Sequence, residues 1–150
     1  MNEVFIDTDI ILDLFLKRQP FYPAAARLFT LAEHGTIKAY ISPVIFSNLY
    51  YILRKGLGQE LALNHLRKLR LLTNIVNVNE TTIDRVLASR FKDLEDAIQY
   101  YAALDHGISV LITRNADDYV GKELSIVNAE EYLEIMKQTI EEEKKDKGWG

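Results

Sequence analysis

The chain contains no cysteine, which excludes disulfides, thiolate metal ligands and cysteine nucleophiles together. Proline and glycine are scarce, with 3 and 7 among 150 residues, so a loop-rich or low-complexity protein is not expected. No apolar run approaches the ~20 residues that a membrane-spanning helix needs. Met1-Asn2-Glu3-Val4 carries an acid and no basic segment, unlike a secretory signal, so a cytoplasmic protein without membrane association is expected. A charge excess is lacking too: 18 Lys and Arg against 22 Asp and Glu leave a net charge of −4. No basic footprint therefore announces nucleic acid, although a local patch or a bound metal reverses the sign where it matters.

What remains suits one domain over residues 1–140, followed by a charged tail at 141–150 that is expected to fray. Apolar strand-like segments at 3–7, 37–41, 75–78, 109–112 and 125–127 alternate with helical patterns. That order implies an α/β fold with a mainly parallel, five-stranded sheet. Helices are expected from Asp9, from Pro23 to His34-Gly35, and from Ser42-Pro43 to Gly56. Others are expected over 60–72, from a Thr81/Asp84 capping box to about Phe91, over 94–104, and from Asn128 to about Ile140.

Three acidic clusters stand out: Asp7 and Asp9 after the first strand, Asp93 to Asp96 at a helix start, and Asp117 with Asp118 after the fourth strand. Each has a bland explanation, since acids cap helices and favour their first turns. Asp9, Glu95 and Asp93 fit that explanation individually, and Asp13 reads as a solvated or packing residue. Asp7 is different, because it falls at the carboxyl edge of the sheet, where open α/β sheets bind ligands. Asp93 and Asp96, three apart, can share a helix face. Clustered carboxylates repel unless a cation or shared proton intervenes, and an oxygen-only set suits Mg²⁺ or Mn²⁺. His34 and His106 each precede a glycine at a helix end and read as caps, and His65 has no partner motif.

Several segments together resemble the PIN-domain family of ribonuclease-like proteins, which includes toxins of bacterial toxin–antitoxin pairs. They are Phe5-Ile6-Asp7-Thr8-Asp9-Ile10-Ile11-Leu12-Asp13, then Ile41-Ser42-Pro43 through Leu49-Tyr50-Tyr51-Ile52-Leu53-Arg54-Lys55. Asp93-Leu94-Glu95-Asp96-Ala97-Ile98-Gln99 and Leu111-Ile112-Thr113-Arg114-Asn115 with Asp118-Tyr119 complete the ordered set. The resemblance implies a three-layer α/β/α sandwich and a Mg²⁺- or Mn²⁺-dependent endoribonuclease, with an antitoxin protein as a possible partner and a homodimer as a possible state. It implies that Asp7 and Asp96 are metal-binding acids, with Asn115 beside them and Asp118 and Asp93 as additional acids. Thr8 would supply a hydroxyl that orients Asp7. Arg54, Lys55 and Arg114 would be the phosphate contacts if RNA binds, and Tyr50, Tyr51, Tyr100 and Tyr101 could stack on bases, although paired helix tyrosines more often divide between core and surface.

One position departs from the family's pattern. The usual glutamate on the helix after strand two is Asn48 here, which offers a carbonyl oxygen but no charge. A catalytically weak domain that binds RNA or a protein is therefore an alternative. Asp7-Thr8-Asp9 after a strand also suits an aspartyl-phosphate phosphatase, although no convincing lysine accompanies it.

Overall fold

Strands β1 (Glu3–Ile6), β2 (Lys38–Ile41), β3 (Asn74–Ile75), β4 (Val110–Ile112) and β5 (Ser125–Val127) form one sheet in the order β3-β2-β1-β4-β5. Every pairing is parallel. The structure, a computed structural model, describes residues 2–148. Val4, Phe5 and Ile6 are fully buried, as are Leu111 and Ile112 beside them. Unbroken apolar runs of this kind belong to strands covered on both faces.

The covering helices are α1 (Thr8–Phe15), α2 (Tyr22–Glu33), α3 (Pro43–Leu57), α4 (Gln59–Leu72), α5 (Glu80–Leu87), α6 (Leu94–Asp105) and α7 (Ala129–Asp146). One group packs α1 on α2 and α3, α2 on α7, and α3 on α4; α5 and α6 pack on each other. The chain is thus a three-layer α/β/α sandwich with an all-parallel sheet. Its direction of growth reverses between β1 and β4: β1 to β3 step one way, and β4 to β5 the other. The carboxyl ends of these two strands flank the crevice that positions the site.

Most helix limits follow local chemistry. Ser42 caps α3 through the Ile45 N–H, with Pro43 in the first position. His34 and His106 end α2 and α6, and the glycines after them take φ values of 77° and 79°.

Several expectations shift. Helix α1 starts at Thr8 rather than Asp9, because Asp7 itself is the cap. The α5 capping box is Asn79 with Thr82, not Thr81 with Asp84, and the helix stops at Leu87 rather than near Phe91. Strand β3 is only two residues long, at the sheet edge, and Val78 lies outside it. Helix α7 continues to Asp146 instead of stopping near Ile140, its Glu-rich start and Lys-rich end matching the helix dipole. Residues 149 and 150 of the expected tail lie outside the described residues.

Candidate metal centre

Asp7 lies one residue past β1. Ile6 is in register with Ile112, and the Asp7 N–H extends the ladder to the Ile112 carbonyl at 2.9 Å. The residue after Ile112 is Thr113, so the parallel register itself brings a hydroxyl to the acid. Thr113 Oγ1 donates to Asp7 Oδ2 at 2.7 Å, and the Tyr119 hydroxyl is 3.2 Å from the same oxygen. Asp7 Oδ1 accepts the Thr8 N–H at 2.7 Å. Burial first, then Asp9, push the Asp7 pKa up to about 6 despite these hydrogen bonds.

Asp96 enters from α6, whose cap Asp93 accepts the Asp96 N–H at 2.9 Å. Burial, followed by Asp7, Asp93, Asp118 and Glu95, holds the Asp96 pKa up at about 7. Carboxylates from three distant segments therefore share one electrostatic neighbourhood. Asp7 and Asp96 titrate as neighbours, the second proton leaving against the charge that the first has exposed. Among the described residues, no group of three His, Cys, Asp or Glu forms a closed cage for a cation. That arrangement still fits Mg²⁺, which is commonly held by one or two carboxylates and completes its shell with water and substrate phosphate. An all-oxygen set of raised-pKa acids fits such a hard cation better than zinc or copper.

Asp9 does more than start a helix. Its Oδ2 accepts the Arg114 N–H at 3.1 Å and the Asn115 side-chain amide at 2.9 Å, tying the loop after β4 to α1. Burial raises the Asp9 pKa as well, against the pull of Arg114. Asn115 is thereby held beside the acids, with its carbonyl oxygen left as a neutral donor. Asp118 sits in the 3-10 turn, Ala116–Asp118, that follows. Gly121 then lets the chain approach Tyr100, because a Cβ there would run into the ring.

Three expected roles are reassigned. The Thr8 hydroxyl goes to Glu95 Oε1 at 3.3 Å, so Thr8 orients Asp7 through its backbone N–H alone. Asp13 is neither solvated nor a simple packing residue: it is fully buried, 3.0 Å from Arg114 Nε. Burial raises its pKa, opposed by Arg114 and Arg18. Arg114 is in turn committed to Asp13 and to the Phe21 ring, 4.0 Å from its guanidinium, rather than free for phosphate.

Asn48 is half-buried one turn beyond Val44 on α3. Val44 packs against a small cluster made of Val86 of α5 and Ala97 and Ile98 of α6, the last two next to Asp96. Residues four apart share a helix face, so Asn48 lies on the same side of α3 as Val44. Arg54 and Lys55 are exposed near the other end of α3, with Lys55 Nζ 4.5 Å from the exposed Tyr51 ring. At about 1.5 Å per residue they stand roughly 15 Å along the helix from Val44. Of the paired tyrosines, Tyr100 is buried and Tyr51 is exposed.

Reading the sequence for acids misses Thr113, Tyr119 and Gln99. Thr113 was legible from strand register; the other two come together only in space. Gln99 is fully buried, donates to Glu95 at 3.1 Å, and has its Oε1 3.2 Å from the Tyr119 hydroxyl. That hydroxyl has one proton for two acceptors, and ionised Asp7 is the stronger acceptor. Tyr119→Phe removes one of two hydroxyls that fix Asp7 Oδ2 and keeps the ring packed against Phe91. We expect about a 10-fold loss of Mn²⁺ affinity, measured by EPR titration. Unchanged affinity would show that Thr113 suffices.

The sheet order and this acid crevice define the class. The chain belongs to the PIN-domain family, whose model matches residues 3–117. Ribonuclease VapC1 of Aquifex aeolicus is 21% identical over 138 residues, covering 89% of this chain and 94% of that one. Among solved structures, a toxin–antitoxin complex from Klebsiella pneumoniae superposes with a TM-score of 0.63 at 27% identity. That match spans 84% of this chain and 97% of the other. VapBC2 from Rickettsia felis, bound to a DNA fragment from its promoter, gives a TM-score of 0.66 at 17% identity, covering 84% and 98%.

Proposed function

We propose that this protein is a divalent-metal-dependent endoribonuclease that hydrolyses RNA phosphodiester bonds and is restrained by an antitoxin. The observation that carries the reading is the convergence of Asp7 and Asp96, with pKa values near 6 and 7, on the crevice between β1 and β4. When bound, Mg²⁺ or Mn²⁺ would supply Lewis acidity toward the phosphate and ionise a water for attack. Asp7, fixed by Thr8, Thr113 and Tyr119, would hold the cation from the sheet, and Asp96 would hold it from α6. Asp118, Asp93 and the Asn115 carbonyl flank that pair. Arg54 and Lys55 serve RNA that runs beyond the cut, while Arg114 is left to its role against Asp13. The ribonuclease relative and the toxin–antitoxin complexes of like fold support both the substrate and the partner. Both oxygens of Asp7 accept hydrogen bonds from the fold, which suits a fixed ligand better than the attacking carboxylate of a phosphatase.

Purified protein is expected to cut RNA only with added Mg²⁺ or Mn²⁺ and to stop in chelator. Cleavage that persists in chelator would overturn the proposal. A second reading, a domain that binds RNA or protein with little cleavage, is favoured by the uncharged Asn48 on the side of α3 that carries Val44. Asn48→Glu adds a carboxylate there. We expect tighter Mn²⁺ binding and, under this second reading, a gain in cleavage of about 10-fold or more. No gain from a wild type that already cleaves well would discard it.

A further inference from the structure

A cavity of about 200 Å³ lies beside the acidic crevice, at the same edge of the sheet, lined in part by Asp13, Phe21, Arg114, Asn115, Asn128 and Glu130. We infer that this cavity is a subsite for a single nucleobase of the RNA strand, next to the phosphate engaged at the acids. The inference rests on the nuclease reading and extends it to residues that bind rather than react.

Size is the first argument. Pockets for drug-sized ligands run to roughly 300–1,000 Å³, so this one admits a single ring system rather than a whole nucleotide. Shape is the second. Phe21 is 38% exposed despite its size, and the Arg114 guanidinium, 4.0 Å away, covers one face of its ring, so a base would stack on the outer side of that pair. An aromatic face and a planar cation are the two surfaces on which bases stack.

Edge chemistry is the third. Asp13 Oδ1 is buried and accepts no hydrogen bond, a deficit that an incoming N–H would fill. Asn128 uses its Oδ1 to cap α7 through the Glu131 N–H at 2.8 Å, which leaves its amide protons available. Acceptors at Asp13 and Glu130 with donors at Asn128 suit a base carrying an amino group better than uracil. A guanidinium from a protein partner is also flat and rich in donors, but Arg114 already occupies the cavity wall and would repel it.

Location is the fourth argument. Asn115 lines the cavity and is bonded to Asp9, so cavity and acids are joined by one residue. A base seated here would fix the register of the strand across the metal.

The test uses short RNAs that carry 2-aminopurine, titrated against the Asp96→Asn protein, in which hydrolysis is expected to stop. Fluorescence quenching on binding is expected, weakened about 10-fold or more by Phe21→Ala and recovered by Phe21→Trp. In otherwise wild-type protein, Phe21→Ala should raise KM and blur the nucleotide preference beside the cut, with a smaller effect on kcat. Equal affinity and an unchanged cleavage pattern in Phe21→Ala would overturn the inference. Should the wild type cut no RNA while Phe21-dependent quenching persists, the nuclease reading fails and the subsite stands. Phe21-dependent binding of an arginine-rich peptide, with no quenching by RNA, would overturn the subsite in favour of a protein partner.

Discussion

Asp7→Asn is expected to lower metal-dependent RNA cleavage by roughly 10³-fold, the scale on which loss of one charged group at a reacting phosphate is felt. The fold should not suffer with it. Asparagine keeps the shape of the side chain, and the Thr113 and Tyr119 hydroxyls can turn to accept from its amide. The sign of the linked pH effect follows from the raised pKa. Folded Asp7 holds its proton up to about pH 6, whereas an unfolded aspartate releases it near 3.8. Stability of the metal-free protein from this group is therefore complete below pH 4 and lost as pH rises through 6. For a group this buried the loss is on the order of 3 kcal/mol. Asp96 acts in the same direction, its loss accumulating from about pH 4 and complete once the pH passes 7. Metal-free Asp7→Asn should thus be no less stable than wild type at pH 8, and its stability should vary less between pH 4 and 8. Added Mn²⁺ should stabilise the wild type at pH 8 and leave the variant nearly unchanged. Thermal melts at several pH values, with and without metal, measure all of this. A variant that cleaves normally would remove Asp7 from the site.

Asp13→Ala is expected to be the costliest single change for stability outside the apolar core, at about 2–3 kcal/mol. Losing one partner of a fully buried pair costs about 3–5 kcal/mol, because the other charge is stranded. The figure is lowered here because the Arg114 side chain is 28% exposed and can recover part of its hydration. For a domain of this size that corresponds to a fall in Tm of roughly 5–10 °C. Arg114→Met in the same protein should restore some of the loss by removing the stranded cation. Additive effects of the two substitutions would show that the pair is not coupled. Cleavage should fall further than stability explains, since the loop bearing Arg114 and Asn115 is the one pinned to Asp9.

The elements were legible because their signals are local. Val4-Phe5-Ile6 and Val110-Leu111-Ile112 read as buried strands, their alternation with helices implied parallel pairing, and Ser42-Pro43 read as a helix start. The missed limits failed for equally physical reasons. Asn79 offered a cap two residues earlier than Thr81, and the charged end of α7 had the right polarity to continue the helix.

The acids were legible as well, but their division of labour was not. Asp7 stood out by its position and Asp96 through the family resemblance; the end of β1 and the first turn of α6 bring them to one crevice. Asp9, Asp13 and Glu95 looked alike in sequence as helix acids. In space Asp9 ties down the loop after β4, buried Asp13 pairs with the partly exposed Arg114, and Glu95 joins α6 to α1 through Thr8. The sequence by itself determined the layers, the strand edge and the candidate oxygen donors, because burial pattern and charge are properties of neighbouring residues. Only the tertiary structure decided which carboxylates crowd one another and which face Arg114, and that Thr113 and Tyr119 hold Asp7. Those outcomes depend on groups some 90 to 110 positions apart, whose desolvation and hydrogen bonds exist only once the sheet has formed.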